Sequence, residues 1–293
     1  MTPPAEAVES GTITSPKGFS AGATFAGLKT PGPGKLDLGL LFSELPCTAA
    51  GVFSQNSVVS PSVTLSRQTV REGGAVRGIV VNSGCANCSV GEQGLTDARE
   101  VAALAASHLE VKPEEMLICS TGVIGVELPM GIIREHMPAI RLRDDGGHDL
   151  ARAIVTTDTR TKERAVQVRI GRRVVTVGGI AKGAGMIHPN MATMLCFMAT
   201  DAAVERGFLQ KVLYDAARVS FNQVDVDGDQ STNDTMLLLA NGAAGNEPLA
   251  GGDAGSEAFA AAVTDVAQYL AKEIARDGEG ANCLIEVRVD GAK

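Results

Sequence analysis

The sequence predicts a mixed α/β fold, on three observations. Short apolar runs bounded by turn residues alternate with segments whose apolar residues recur at helical spacing. From Arg164 to Ile180 the pattern becomes an alternation broken at Gly171-Arg172, as in a hairpin, which disfavours a purely parallel sheet. A length of 293 residues with 44% hydrophobic and 20% charged residues suits one large or two smaller globular domains with a sizeable core.

The elements follow in chain order. Residues 1–14 read as a mobile leader, and Pro31-Gly32-Pro33-Gly34 as a surface loop. Val76 to Val81 is a compact apolar strand, and Asn82-Ser83-Gly84 its closing turn. Thr96 is placed to cap a helix whose apolar face carries Val101, Leu104, Ala105 and Leu109. Met116 to Cys119 is a second buried strand, ending at Ser120-Thr121-Gly122. After the hairpin, the run Met194-Leu195-Cys196-Phe197-Met198 is a buried strand. Leu209 to Val219 reads as helix, Met236 to Leu239 as strand, Ser256 to Ala275 as a long Ala-rich helix, and Leu284 to Val289 as a final alternating strand. No internal repeat of fixed period is present.

Composition excludes several function classes. A net charge of −8 lacks the basic footprint of a nucleic-acid or anionic-membrane surface, and no Trp with two Tyr leaves no aromatic platform for bases. No apolar run approaches bilayer length, and Met1 to Glu9 has neither the basic nor the apolar region of a signal peptide, so a cytoplasmic protein is expected. Six cysteines, mostly isolated, suit reduced thiols. Cys85-Ala-Asn-Cys88 has no second pair to complete a zinc site, so no metal is expected.

Residues 182–195 carry the chemistry. A Gly-rich loop, Lys182-Gly183-Ala184-Gly185, leads through Pro189-Asn190 and Met191-Ala192 to Thr193, where a loop enters a strand. There a hydroxyl can attack its own preceding carbonyl, break the Ala192–Thr193 bond and leave Thr193 with a free α-amine. An N-terminal Thr is an activated nucleophile, because its amine accepts the hydroxyl proton and titrates at roughly pH 7.7–8.0. The alternative is an ordinary strand threonine, since Thr favours strands. Thr121-Gly122, at the end of a buried strand, offers a hydroxyl and a backbone N–H for the oxyanion of acyl transfer, or is a plain strand-ending turn. Lys182 is placed to bind a substrate carboxylate or to tune Thr193, or is a solvated loop lysine. His188 is not needed as a base beside an N-terminal amine. Asp225-x-Asp227-Gly228-Asp229 fails as a calcium loop, because its sixth and twelfth positions are Gln230 and Met236. Local turn structure or support for the site is the better reading. Gly178 to Gly185 fails as a phosphate loop.

The string Lys-Gly-Ala-Gly-Met-Ile-x-Pro-Asn-Met-Ala-Thr-Met-Leu, Lys182 to Leu195, resembles the self-cleavage signature of the ornithine acetyltransferase (glutamate N-acetyltransferase) family. Collinear matches include Pro16 to Phe19, Ala50 to Phe53, Ser120 to Gly125, Thr156 to Thr159, Val226 to Asp229, Ser231 to Thr235 and Asp277 to Ala281. Two departures are a Cys at position 85 in place of an expected Asn, and an early stop at Lys293, which reads as a C-terminal truncation.

The resemblance implies a self-processing α/β sandwich of the ornithine acetyltransferase and aminopeptidase, N-terminal-nucleophile-like type. Residues 15–192 would form an α chain and 193–293 an incomplete β chain, associating as a heterotetramer of two of each. Thr193 would carry acetyl from N-acetylornithine to glutamate by a ping-pong route in arginine biosynthesis. Thr121 and Gly122 would form the oxyanion hole. Thr156 (or its neighbour Thr157), Lys182, Thr193 and Glu279 would bind substrate, Glu279 suiting the amino end of an ornithine-like ligand. No cofactor is implied, although some relatives accept acetyl-CoA as donor. An N-terminal-nucleophile amidase or aminopeptidase, or an inactive fragment of the transferase, are the alternatives.

Overall fold

The computed structural model describes residues 5–29, 34–188 and 194–291. Among these, nine strands and six α-helices follow one another as β1 (Glu6–Ala7), β2 (Phe19–Thr24), β3 (Leu38–Phe53), α1 (Pro61–Glu72), β4 (Val76–Cys85), α2 (Gln93–Leu109), β5 (Met116–Val123), α3 (Met130–His136), α4 (Gly147–Ile154), β6 (Lys162–Ile170), β7 (Arg173–Lys182), β8 (Leu195–Thr200), α5 (Arg206–Arg218), β9 (Thr235–Ala240) and α6 (Ala254–Arg276). No helix among the described residues is long and apolar enough to cross a membrane.

The long strand β3 serves two sheets. Its first half, Leu38 to Phe42, pairs antiparallel with both β2 and β4, and β4 pairs parallel with β5. Its second half, Thr48 to Phe53, pairs antiparallel with β9, continuing the order β1-β6-β7-β8-β9-β3. The change of sheet falls at the irregularity between Phe42 and Cys47. Pro46 sits in this interval, where a residue without an N–H is tolerated because ladder pairing is interrupted.

Side-chain alternation turns the two sheets into four layers. On β8 and β9, Leu195, Phe197, Leu237 and Leu239 face the second sheet, where Ile79, Val81, Leu117 and Cys119 of β4 and β5 meet them. The intervening Cys196, Met198, Met236 and Leu238 face α5 and α6. The intervening Val80, Met116 and Ile118 face α2 and α3. A strand buried on both faces needs apolar residues at every position, which is why these runs show no polar alternation. Complete burial of a side chain such as Phe197 stabilises the fold by about 1.5–3 kcal/mol. Helix α6 supplies the longest apolar stripe, Phe259, Val263, Val266, Leu270 and Ile274, and starts where Asp253 accepts the Ser256 N–H at 2.9 Å.

The predicted elements form, with five corrections. Asn82-Ser83-Gly84 and Ser120-Thr121-Gly122 do not terminate their strands but continue them, because they pair with each other in parallel register (Ser83 with Thr121, Gly84 with Gly122). Thr96 is not a cap: α2 begins at Gln93, and Thr96 lies inside its first turn. Residues 5–14 are not a free leader, since Glu6–Ala7 pair with β6 and Ile13 is fully buried between the sheets. Leu284 to Val289 is no strand; Ile285, Val287 and Val289 are exposed, and alternation alone makes no strand without a neighbouring ladder. Val174 of the hairpin is exposed as well, beside buried Val175. The expected loop at Pro31–Pro33 lies outside the described residues, as do Ala192 and Thr193.

Candidate active site

The site forms where the C-terminal ends of β4, β5 and β7 converge on the start of β8. Gly84 and Gly122 face each other across the parallel pair, both at positive φ (111° and 134°). A Cβ on Gly122 would sit 2.3 Å from the Gly84 carbonyl carbon, and one on Gly84 would sit 2.4 Å from the Leu28 carbonyl oxygen. Only glycine fits either position, on both conformational and steric grounds. The stacking brings the Leu28–Lys29 backbone, Gly84 and Gly122 together. Thr121, buried beside Gly122, turns its Oγ1 towards the Lys182 Nζ at 3.4 Å.

Lys182 ends β7, opposite Leu195 of β8. Its ammonium is buried, and that hydroxyl is its one hydrogen-bond partner among the described residues. Burial pushes its pKa below the usual lysine range; Asp158 pulls upward and Lys162 adds to the depression. The residue bonded to Thr193 is Met194, whose N–H donates to Asp234 Oδ1 at 2.9 Å. Asp234 is buried, and its Oδ2 makes no bond of hydrogen-bond geometry among the described residues. Burial raises this carboxyl well above the ordinary range, against smaller opposing pulls from the Met194 N–H, Lys182 and the nearby Ser231 hydroxyl. The 231–235 segment is tied to β5 by Asn233, whose Nδ2 donates to the Ala86 and Ser120 carbonyls at 2.6 and 2.8 Å.

Two carboxylates hold the loops around this centre. Asp227 accepts the Met186 and Ile187 N–H groups at 2.6 and 3.0 Å, pinning that end of the Gly-rich loop. Asp158 accepts the Gly183 N–H at 2.7 Å and the Lys162 ammonium at 2.7 Å. Lys162 also reaches Asp277 Oδ2 at 2.6 Å, and Asp277 takes the Thr159 N–H at 3.1 Å and its hydroxyl. Burial acts to raise both Asp158 and Asp277. In Asp158 the Lys182 and Lys162 charges outweigh it, and in Asp277 the Lys162 and Thr159 hydrogen bonds do, so both sit below the ordinary carboxylate range. Glu279, two residues beyond Asp277, donates its N–H to the Ala184 carbonyl at 2.7 Å and lays its carboxyl across Gly185, where any Cβ would meet it at 2.6 Å.

Thr121, Gly122, Thr156, Lys182 and Glu279 line one cavity of about 870 Å³. Thr157 lines it too, so the two threonines are not separated by position. Thr193 and Ala192 lie outside the described residues. His188 faces Asp225 at 3.3 Å and is no part of the lining. Cys85 and Cys88 are buried free thiols, Cys85 Sγ donating to the Val126 carbonyl at 3.0 Å. Sequence reasoning missed Lys29, Lys162 and Asp234. Asp158 and Asp234 stood inside quoted motifs, which was a signal; Lys29 and Lys162 carried none.

The described residues form a four-layer α/β/β/α sandwich, the layer order of the N-terminal-nucleophile fold. Consistent with this, an L-aminopeptidase D-Ala-esterase/amidase from Ochrobactrum anthropi, a variant of that fold, superposes over 94% of this chain and 89% of its own with a TM-score of 0.55 at 12% identity. The chain belongs to the ArgJ family, whose model matches residues 20–293. It is 52% identical to an arginine biosynthesis bifunctional protein ArgJ from Dehalococcoides mccartyi, over 96% of this chain and 69% of the relative. Among solved structures, the ArgJ of Bacillus halodurans aligns at 37% identity and TM-score 0.61, over 64% of this chain and 98% of that one. An ornithine acetyltransferase from Mycobacterium tuberculosis, complexed with ornithine, aligns at 32% identity and TM-score 0.57, over 66% and 100%.

Proposed function

We propose that this chain is a glutamate N-acetyltransferase of arginine biosynthesis, which cuts itself between Ala192 and Thr193 and then moves acetyl from N-acetylornithine to glutamate. The carrying observation is the cavity itself, which gathers Thr121, Gly122, Thr156, Lys182 and Glu279 from separate chain segments beside the start of β8.

In the first half-reaction the Thr193 hydroxyl attacks the acetyl carbonyl carbon, and its proton passes to the Thr193 α-amine. The Thr121 hydroxyl and Gly122 N–H stabilise the oxyanion that forms. Collapse breaks the amide C–N bond, and the leaving ornithine nitrogen takes the proton back from the α-ammonium. Glutamate's amine then attacks the acetyl ester, and Thr193 departs with its proton restored. Lys182 receives the α-carboxylate that both substrates share, Thr156 hydrogen-bonds the bound amino acid, and Glu279 faces the cationic side chain of ornithine. Transfer to glutamate rather than hydrolysis requires that water be kept from the ester. The two cut chains stay associated through the shared sandwich and pair into a heterotetramer of two of each.

Intact-mass analysis tests the cleavage: wild type should give two pieces divided at the 192/193 boundary, and Thr193→Ala one uncut chain. Cleavage of that variant at the same bond would assign the cut to an outside protease. N-acetylornithine alone should leave an acetyl mark on the piece that begins at Thr193, and glutamate should remove it as N-acetylglutamate. Acetate release unaffected by glutamate would identify a hydrolase instead. Acetyl-CoA supplied in place of N-acetylornithine tests the second donor.

A further inference from the structure

The exchange places opposite demands on one pocket. The donor's side chain ends in an ammonium, whereas the acceptor's ends in a carboxylate, and a ping-pong enzyme holds them in turn at the same place. Glu279 answers the first demand. An unpaired cation with access to the same cavity is needed for the second, and Lys182 is already engaged by the carboxylate common to both.

Four further observations single out Lys29. It lines the same cavity as Thr121, Gly122, Lys182 and Glu279. Its backbone is fixed: Asp37 accepts the N–H groups of Ala26, Gly27, Leu28 and Lys29 at 2.7, 3.0, 2.6 and 3.3 Å, and the Leu28–Lys29 peptide lies against Gly84, which backs Gly122. Its ammonium is half-buried and donates only to carbonyls, Leu36 at 2.9 Å and Arg152 at 3.5 Å, with no carboxylate at ion-pair distance among the described residues. Burial depresses it to about 8, with Asp37 pulling upward and Lys182 adding to the depression. The other cations of the lining are less suited. Arg152 is exposed and its guanidinium is tied to Asp149, and Lys35 is exposed on the rim.

We propose that Lys29 is the acceptor-specificity residue, its ammonium receiving the side-chain carboxylate of the incoming dicarboxylic amino acid. The proposal rests on the acetyltransferase reading above. A half-desolvated ammonium without an anion gains more from an arriving carboxylate than a solvated one does, because less water must be displaced. The ε-ammonium of Lys29 also repels the donor's terminal cation, which leaves Glu279 to set the donor's orientation.

The test compares glutamate with glutamine as acceptors from N-acetylornithine, in wild type, Lys29→Met and Lys29→Arg. The ratio of kcat/KM for the two acceptors is read within each preparation, so partial misfolding cancels. Wild type should prefer glutamate. Lys29→Met should lower that preference by about 10- to 100-fold, the worth of a charge-assisted hydrogen bond, and Lys29→Arg should restore most of it. Acetyl-enzyme formation from N-acetylornithine should fall far less than transfer to glutamate. An unchanged preference overturns the proposal. So does an equal fall in both half-reactions, which would put Lys29 on the shared α-carboxylate. Wild type that forms no acetyl-enzyme at all would overturn the acetyltransferase reading, and this proposal with it.

Discussion

Lys162 and Lys182 stand on adjacent strands at the open end of one hairpin, at the first position of β6 and the last of β7, and both are buried. Lys162 is closed between two carboxylates at 2.7 and 2.6 Å, while among the described residues Lys182 meets a single hydroxyl at 3.4 Å. Residue type and burial are the same; the partners differ, and with them the role. The paired lysine locks three segments, the Thr156–Thr159 turn, the Gly183 loop and the end of α6 that leads into Glu279. The other, with no carboxylate at ion-pair distance among the described residues, faces the cavity. Asp234 shows the same contrast against Asp158, one carboxyl oxygen without a hydrogen-bond partner among the described residues and its pKa raised, the other saturated and lowered. Buried charge that is paired builds structure, and buried charge left unpaired marks the chemistry.

The largest expected effect separates the two lysines directly. Lys162→Met strands two carboxylates and should lower unfolding free energy by about 3–5 kcal/mol. Lys182→Met removes a buried unpaired cation and should leave stability equal or higher by up to about 2 kcal/mol, while kcat/KM falls by at least about 10-fold. Chemical denaturation and kinetics on both variants check this pair. Similar losses of stability in the two would end the distinction.

Thr121→Ala tests the proposed oxyanion hole beside Lys182. Loss of one oxyanion donor should lower kcat by about 10²–10³ with little change in KM. A raised KM at constant kcat would move Thr121 into substrate recognition. Gly122→Ala should act on the fold instead, because its Cβ meets the Gly84 backbone at 2.3 Å in a positive-φ conformation, and a loss of at least about 1–3 kcal/mol is expected from thermal melts.

The smallest effect is a pH dependence. The unfolded chain releases the Asp234 proton near pH 3.9, as a free aspartic acid does, whereas the folded chain keeps it to higher pH. Its contribution to stability is therefore complete below about pH 4 and is lost as pH rises through the folded pKa. Asp158 and Asp277 act with the opposite sign, contributing above about pH 4 and failing as pH drops through their depressed values. Asp234→Asn should remove the first slope and keep the second, as measured by melting temperature from pH 3 to 8. Two unchanged slopes would mean that Asp234 titrates normally.

Much of this was readable in advance, and the reasons differ by element. Strands β8 and β9 and helix α6 declared themselves, because burial on both faces or along a helical stripe imposes a local pattern. The bent strand β3 did not, since Glu44, Leu45 and Pro46 interrupt its apolar run where it changes sheets. Leu284 to Val289 shows the converse failure, a convincing alternation with no neighbour to pair with. Of the site, Thr121, Gly122, Thr156, Lys182 and Glu279 were named from motifs, and the fold brings them to one cavity.

The sequence by itself determined the mixed α/β content and the family, and named candidate residues for acyl chemistry, because hydrophobic periodicity and short motifs are local properties of a chain. Only the tertiary structure decided that Lys162 is held by two carboxylates while Lys182 and Lys29 meet none at ion-pair distance among the described residues, and that Gly84 must back Gly122. Those facts depend on distances between residues far apart in the chain, such as the 2.6 Å from Lys162 to Asp277, and no local pattern encodes a distance.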